Sequence, residues 1–464
     1  MTAAKKLKYD FTEGSLFFRI LIFTLPIMLS ALLQLLYNTA DNIVVGRFSG
    51  DDLALAAVGS TSALSSLIIN FLIGFASGSS ILIAQRFGAR DREGVSRASH
   101  TIMTFSVIGG IAFCLLGLAI SKPALTLMGT KPELMGRAVL YLRIICLGIP
   151  ALSVYNFGSS IIRSVGDSKT PLLILSVSGL LNFILNLIFV TVFKMSVLGV
   201  ALATVISQYM AALAIAVILL KNSAECYGIT LSRLRLDKGA LADIVKLGLP
   251  AGLQNALYAI SNVMMSAAVN TLPTSAVSAK AISGNIDQIC HTALSSFGIG
   301  AVTVVGQCFG AKDASRVKRS IIYTVLQVTV IGVLLGQGIL LFSDRLAVFF
   351  IDAKNPEADA ILKYTVEILR ITLATSFING LMQAVSGAVR GMGYSISVMI
   401  ITLLGACLFR ILWVLFVFPI EAMHTLSGLF VIFPLSWGAT ALLLAAVAVY
   451  AYLKLKRSDK ADLR

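Results

Sequence analysis

The ionisable side chains that lie inside long apolar stretches of this 464-residue sequence include Asp41, Asp287, His291 and Arg410. A charged group among apolar residues is costly, and each of the four is therefore a candidate functional residue. Asp287 and His291 are one helical turn apart, so their carboxyl and imidazole groups could share a proton. Proton transfer or ion binding is the chemistry that such groups support in a membrane.

These side chains also have structural interpretations. Asp41 would lie in a solvated loop if the first helix ended before it, although the apolar residues 43–45 follow. Arg410 needs a partner, and Asp287 or Glu367 could complete a buried ion-pair network with it. The sequence leaves both interpretations open.

The apolar stretches have the length and composition of membrane-spanning helices. Hydrophobic residues make up 57% of the chain, charged residues make up 13%, and the mean hydropathy is +0.91. This balance excludes a soluble enzyme, a disordered chain and a nucleic-acid-binding protein, because too few polar side chains remain to cover a water-facing surface. Since each crossing needs about 20 apolar residues, the sequence predicts twelve spans, at 16–45, 53–84, 96–121, 136–162, 171–193, 197–220, 243–270, 276–306, 318–343, 361–389, 396–419 and 428–453.

Basic residues, which give the chain a net charge of +15, are concentrated in alternate loops of this arrangement. Because lysine and arginine are enriched in cytoplasmic loops, both termini are predicted to be cytoplasmic. We therefore expect a multi-pass protein of the cell membrane, and of the cytoplasmic membrane if the source is bacterial. The six cysteines and three histidines are dispersed, and they predict neither a disulfide framework nor a metal site.

The two halves of the chain contain related sequences. Residues 85–97 read QRFGARDREGVSR and residues 307–319 read QCFGAKDASRVKR, with seven identical positions. An even number of spans in each half gives both halves the same orientation, as in transporters built from parallel repeats. The predicted domains are an N-terminal six-helix lobe (1–220), a cytoplasmic linker (221–242) and a C-terminal six-helix lobe (243–464).

Several segments, taken in their order along the chain, resemble those of a known protein family. They are LPIMLSALLQLLYNTADNIVVGRFS in the first span, the repeated QRFGAR and QCFGAK, YLRIICLGIP and IIRSVGDSKTP around the fourth span, and SGAVRGMGYS in the C-terminal half. In these segments the chain resembles the MATE (multidrug and toxic-compound extrusion) family of the MOP flippase superfamily, over nearly its whole length. The resemblance implies an all-α membrane protein in which two pseudo-twofold-related lobes form a V-shaped central cavity. It also implies export of amphipathic, often cationic compounds by H⁺ or Na⁺ antiport with alternating access.

The resemblance further implies which residues couple transport to the cation. Asp41 corresponds to the coupling aspartate, and its companions are Asn156, Asn182, Asn186 and Thr204. Carboxylate, amide and hydroxyl oxygens suit Na⁺, and the same groups can hydrogen-bond a buried carboxylate that takes up H⁺. Some family members carry a second aspartate where Asn186 stands, which weakens the case for Na⁺ without excluding it. For the asparagines, hydrogen bonding between helices is an equally good interpretation.

Polar, aromatic and methionine side chains are expected to line the substrate cavity, since mixed surfaces accommodate varied amphipathic ligands. The candidates are Gln34, Tyr37, Asn70, Gln254, Asn255, Tyr258, Asn262, Met265, Asp287, His291, Gln383 and Arg410. Ordinary helix packing is the alternative for most of them individually.

The sequence thus predicts a secondary active exporter of small amphipathic molecules, functional as a monomer, with no cofactor other than the coupling ion and no nucleic-acid partner. The alternative within transport is a lipid-linked oligosaccharide or lipid flippase of the same superfamily, although acids within the spans count against a cavity for pyrophosphate. A membrane-embedded enzyme is not indicated, because the chain contains no HExxH motif and no GxSxG motif in a suitable context. A passive channel would need repeated pore-lining charges.

Overall fold

The computed structural model of the chain describes residues 10–48, 54–351 and 355–462, in which all regular secondary structure is helical. Residues 1–9 and 463–464, which belong to the predicted cytoplasmic termini, lie outside the described residues. The α-helices are α1 (Leu16–Phe48), α2 (Ala54–Gly88), α3 (Arg92–Leu127), α4 (Pro132–Ser164), α5 (Lys169–Leu187), α6 (Ser196–Lys221), α7 (Lys238–Val269), α8 (Thr274–Gly310), α9 (Ala314–Leu341), α10 (Ser343–Phe350), α11 (Ala358–Ala374), α12 (Ser376–Gly391), α13 (Ser395–Thr402), α14 (Phe409–Leu412), α15 (Leu426–Phe430) and α16 (Ile432–Asp462).

Wider, π-helical turns continue or interrupt two of the predicted spans. Ile188–Val192 continues α5, and Leu403–Leu408 and Trp413–Val417 flank the single turn of α14. Such turns are rare in proteins and occur frequently at functional sites. The side chains beside these turns include Asn186 and Arg410, two of the candidate functional residues.

The predicted spans coincide with helices or with groups of neighbouring helices. Among the described residues, ten helical segments are long and apolar enough to cross a bilayer, and there are eleven if α11 and α12, bent by 43° from each other, are counted as one span. α7 coincides with the predicted span at 243–270. The all-α architecture expected from the sequence is confirmed.

The two repeated segments form the same turn between helices. In each, a basic residue takes a left-handed conformation, with φ of 61° at Arg90 and 58° at Lys312. An aspartate then begins the next helix and accepts a hydrogen bond from the backbone N–H three residues later, at 2.8 Å for Asp91 and 2.9 Å for Asp313. Because the side-chain acceptor satisfies a helix N–H that has no partner within the helix, the aspartate is the residue that the turn requires. The sequence repeat is therefore also a repeat of local structure.

A second pair of repeated segments ends α4 and α12. Arg163 and Arg390 lie in the last turn of these helices. Gly166 and Gly393 follow with φ of 91° and 92°, which a residue with a side chain rarely adopts. The two arginines thus occupy equivalent places in the two halves of the chain.

The helices group into two compact units. One unit contains Met1–Asp10 and Leu29–Gly252, and the other contains Phe11–Met28 and Leu253–Arg464. The division falls within α1 and α7, close to Pro26 and Pro250, whereas the predicted domains meet at the 221–242 linker. Proline removes a helix hydrogen bond and its ring crowds the preceding turn, so the two parts of such a helix can pack differently.

In the first unit, the segment that connects α6 to α7 is attached to α3. One ring nitrogen of His100 accepts a hydrogen bond from the N–H of Thr230 at 3.0 Å, and the other lies 2.7 Å from the carbonyl of Ser96. The hydroxyl of Thr101 accepts from the N–H of Asp237 at 3.2 Å. The predicted linker therefore packs on the first unit through hydrogen bonds to α3, in addition to connecting α6 to α7.

In the second unit, the N-terminal part of α1 and the residues before it are bound by side chains of α8 and α9. The N–H of Phe11 donates to Gln307 Oε1 at 3.1 Å, and Gln327 Nε2 donates to the carbonyl of Phe17 at 2.6 Å. The rings of Phe11 and Phe23 pack edge to face with centroids 5.2 Å apart. These contacts explain why Phe11–Met28 belongs to the second unit.

α2 and the first part of α7 come into backbone contact within the first unit. Gly78 faces Gly248, and a Cβ atom on Gly78 would overlap the Gly248 backbone and lie 2.8 Å from the carbonyl carbon of Leu247. A Cβ atom on Gly248 would in turn meet the ring of Phe75. Packing through small residues allows membrane helices to approach this closely.

We expect Gly78→Val to destabilise the protein by about 1–3 kcal/mol, because the two helices must move apart to admit the side chain. The measurement is the midpoint of thermal unfolding in detergent. Gly59→Ala, in the same helix, is the matched control, since a Cβ atom there meets nothing within 4 Å. Alanine is the better helix former by about 1 kcal/mol, so this variant should be at least as stable as the parent. If Gly78→Val and Gly59→Ala unfolded at the same temperature, the close backbone contact between Gly78 and Gly248 would be contradicted.

Candidate functional site

The first candidate site surrounds Asp41, which is half-buried in the C-terminal part of α1. One helical turn earlier, Tyr37 holds α1 against α5. Its hydroxyl donates to the carbonyl of Ser176 at 3.3 Å, and its ring occupies the space that a side chain at Gly179 would need. The close approach at Gly179 brings the Asp41 carboxylate to the polar face of α5.

Two asparagines on that face of α5 contact the carboxylate. Asn186 is completely buried, and its Nδ2 donates to Asp41 Oδ1. The Nδ2 of Asn182 donates to Asp41 Oδ1 at 3.0 Å, and its oxygen accepts from the N–H of Thr204 on α6 at 3.3 Å.

The carboxylate therefore lies among amide donors and away from basic side chains. No lysine or arginine of the described residues forms an ion pair with Asp41. The oxygen of Asn186 is buried without a donor. A proton on the carboxyl group could be donated to this oxygen, and a bound Na⁺ could be coordinated by it. The arrangement is chemically suited to take up either cation.

The structure brings together four of the five residues expected to couple transport to a cation: Asp41, Asn182, Asn186 and Thr204. The fifth, Asn156, is half-buried on α4, and its Nδ2 donates to the carbonyl of Leu152 in the same helix at 2.9 Å. This bond does not connect Asn156 to the carboxylate. Sequence alone could not separate Asn156 from the others, because all five are small polar residues within spans.

The remaining cavity candidates of the first unit lie on α1 and α2. Gln34 and Asn70 have exposed side chains. Tyr37, in contrast, is used to pack α1 against α5. Its contact with Gly179 makes it a positioning residue for Asp41.

Arg390 belongs to the polar interior of the second unit, although the sequence analysis did not include it among the candidates. Its Nη2 donates to Gln254 Oε1 on α7 at 2.7 Å, and its Nε is buried without an acceptor. Tyr258 lies one turn after Gln254 on α7 and is half-buried. The signal for Arg390 was available in the sequence repeat, which pairs it with Arg163.

Arg410 has different partners from those considered in the sequence analysis. It is 4% exposed, its Nε donates to Ser436 Oγ at 3.1 Å, and its guanidinium carbon lies 4.4 Å from the centre of the Phe433 ring. Neither Asp287 nor Glu367 forms an ion pair with it in the described part of the chain. This guanidinium group thus contacts one hydroxyl and one aromatic face, and neither carries a negative charge.

Glu367 accepts a hydrogen bond from the hydroxyl of Ser427. Asp287 and His291, one turn apart on α8, are both half-buried.

The other cavity candidates of the second unit vary in exposure. Asn255 and Gln383 are half-buried, Asn262 is exposed and Met265 is 2% exposed within an apolar cluster. Core packing explains the position of Met265 without reference to a ligand.

Comparison with known proteins identifies the family. The sequence profile of the MatE family matches residues 26–188 and 250–415. A "Probable multidrug resistance protein YoeA" of Bacillus subtilis (strain 168) is 30% identical over 378 residues, covering 80% of both chains. A "Multidrug export protein MepA" of Staphylococcus aureus (strain NCTC 8325 / PS 47) is 24% identical over 412 residues, covering 88% of this chain and 89% of that one.

A solved structure has the same fold. It is described as "Outward-facing conformation of a multidrug resistance MATE family transporter of the MOP superfamily", and it matches with a TM-score of 0.88 at 23% identity. The match covers 98% of this chain and all of the other. The fold expected from the resemblance is thereby confirmed. The chain belongs to the MATE (multidrug and toxic-compound extrusion) family of membrane transporters.

Proposed function

We propose that this protein exports amphipathic, often cationic small molecules across the cell membrane by antiport with H⁺ or Na⁺, using alternating access. Its membrane location follows from the family and from the apolar helices. The multidrug names of its relatives support the substrate class. We further propose that both termini are cytoplasmic, that the monomer is functional and that the coupling ion is the only cofactor.

The bond between Asp41 and Asn186 is the observation that carries the coupling mechanism. A carboxylate without a basic partner is unfavourable in an apolar interior, and a proton or Na⁺ removes that cost. Before a cation binds, the amides of Asn182 and Asn186 offset part of the cost of burying the carboxylate, because hydrogen bonds to a charged acceptor are stronger than those between neutral groups. Binding and release of the cation would therefore change the energy with which α1 is held to α5.

Rotation of an amide provides the structural response. An asparagine that donates its N–H to a bare carboxylate can turn its oxygen toward a carboxyl proton or a Na⁺ ion. Uptake of the cation would thus rearrange the bonds among α1, α5 and α6, and these helices would repack as the substrate is released.

We expect Asp41→Asn to lower cation-driven efflux by about tenfold or more, because an amide binds neither H⁺ nor Na⁺ with the affinity of a carboxylate. Efflux of a fluorescent cation from proteoliposomes is measured with a pH gradient alone and then with a Na⁺ gradient alone. The gradient that drives transport in the parent protein identifies the coupling ion. The variant should fail under that same gradient.

Glu133→Gln is the matched control, since Glu133 is an exposed carboxylate in the first turn of α4. It should transport like the parent protein. Undiminished gradient-driven efflux by a well-folded Asp41→Asn variant would remove Asp41 from the coupling mechanism.

We expect a further difference between two asparagines. Asn186→Ala removes a hydrogen bond to the carboxylate, worth about 1.5–3 kcal/mol for a charged acceptor, and should slow efflux by at least about tenfold. Asn156→Ala removes only a bond to a carbonyl of its own helix, and its effect should stay below about threefold. Initial efflux rates at matched protein density provide the comparison. A larger loss of efflux rate in Asn156→Ala than in Asn186→Ala would contradict the assignment of Asn186, and not Asn156, to the coupling site.

A further inference from the structure

A short segment between α6 and α7 is both apolar and basic. Residues 231–238 read LSRLRLDK, and we call them the basic segment. Its three leucines have exposed fractions of 69%, 36% and 41%, at Leu231, Leu234 and Leu236 respectively. Its three basic side chains are exposed as well, namely those of Arg233, Arg235 and Lys238. Exposed apolar side chains grouped with basic ones are typical of a surface that contacts a membrane.

The positive charge of the basic segment has no ion-pairing partner in the described part of the chain. None of its three basic side chains forms a salt bridge there. The one acid of the segment, Asp237, precedes α7 and accepts a hydrogen bond from the N–H of Ala240 at 2.9 Å. This carboxylate therefore caps a helix. With three basic residues and one acid, the segment has a net charge of +2, which attracts an anionic surface.

Hydrogen bonds to α3 fix both ends of the basic segment. The N–H of Thr230, just before it, donates to His100 at 3.0 Å, and the N–H of Asp237 donates to the hydroxyl of Thr101 at 3.2 Å. The hydroxyl of Thr101 also donates to the carbonyl of Arg235 at 3.4 Å. The segment therefore has a defined place on the first unit, and its exposed side chains form a defined surface.

These bonds place the basic segment at the level of the membrane surface. His100 and Thr101 lie four and five residues after the start of the predicted span at 96–121, which is about 6–8 Å along the helix. The N–H of Ile229 donates to the carbonyl of Leu219 at 3.1 Å, and Leu219 lies inside the span predicted for α6. Lipid headgroups extend for about 5–8 Å beyond each face of the hydrocarbon. A segment bonded at this depth is surrounded by headgroups.

We propose that the basic segment binds anionic phospholipids of the adjacent leaflet, which is the cytoplasmic leaflet in the predicted topology. Its arginines and lysine contact phosphate oxygens, because guanidinium geometry matches phosphate and the long side chains can reach the headgroups. Its three leucines enter the boundary of the acyl chains, where amphipathic segments bury their apolar side chains by about 5–10 Å. α7 begins at Lys238, so the bound lipid contacts the first turn of this helix.

The test places a fluorescent reporter in the basic segment. Ser232, an exposed residue that the proposal does not use, is changed to cysteine and labelled with bimane. Cys226 is first changed to serine, since the other five cysteines are buried. The labelled full chain is reconstituted in phosphatidylcholine nanodiscs that contain increasing fractions of a lipid with a nitroxide near the top of one acyl chain. This quencher lipid is phosphatidylglycerol in one series and phosphatidylcholine in the other.

We expect half-maximal quenching at a mole fraction at least about fivefold lower for the phosphatidylglycerol quencher, because each basic residue near the surface adds attraction to anionic lipid. Equal quenching by the two lipids would overturn the preference for anionic headgroups. Absence of quenching by either lipid would show that water or another protein covers the segment, and would overturn the proposal as a whole.

Two double variants and a control assign the effect to the arginines. Arg233→Gln with Arg235→Gln should reduce the preference to about twofold or less, and lysine at both positions should retain most of it because the charge remains. Lys456→Gln with Arg457→Gln removes two exposed basic residues near the end of α16 and should leave the preference unchanged. A glutamine variant with the preference of the parent would overturn the assignment. If that variant does not fold, the comparison of the two lipids on the parent protein still decides the proposal.

Quenching is measured without a gradient and without a transported substrate, so the lipid proposal does not rest on antiport. Loss of coupling in Asp41→Asn would leave the lipid preference intact. A basic segment without lipid preference would in turn leave the coupling proposal standing, and the two proposals can fail separately.

Discussion

A polar group buried among apolar helices must find its partner within the protein, because hydrocarbon provides none. In the first unit this constraint joins α1 to α5, where a carboxylate accepts from Asn186. In the second unit it joins α14 to α16, where Arg410 donates to Ser436. These are also the places at which the bonding is incomplete. The oxygen of Asn186 is buried without a donor, and Arg410 forms no ion pair with a carboxylate of the described residues.

Close helix packing makes these polar contacts possible. Gly179 admits the ring of Tyr37 and thereby sets the distance between α1 and α5. Gly78 and Gly248 allow α2 and α7 to meet at their backbones, and a Cβ atom on Gly387 would likewise overlap the carbonyl of Gly298 in the second unit. Small residues are often regarded only as a means of association. In this transporter they also determine which polar side chains can reach one another.

The repeat preserves local backbone structure. The aspartate-capped turns at Asp91 and Asp313 and the glycine-terminated helices at Gly166 and Gly393 are equivalent in the two halves. Backbone geometry governs these positions and tolerates little change. The charged side chains of the interior are not repeated in this way, since Asp41 belongs to one half alone and Arg410 to the other.

Helix positions, the repeat, the family and the candidacy of Asp41 could all be predicted from residue order, because hydrophobic length, helical periodicity and capping are local properties. The partners of the buried charges could not. Arg410 was expected to need an acid and is instead bonded to Ser436, and Arg390, which lies between two predicted spans, reaches Gln254. Asn156 resembles Asn182 in type and setting, yet it bonds only its own helix. Such choices depend on how helices distant in sequence rotate and approach each other, and that information exists only in the folded chain.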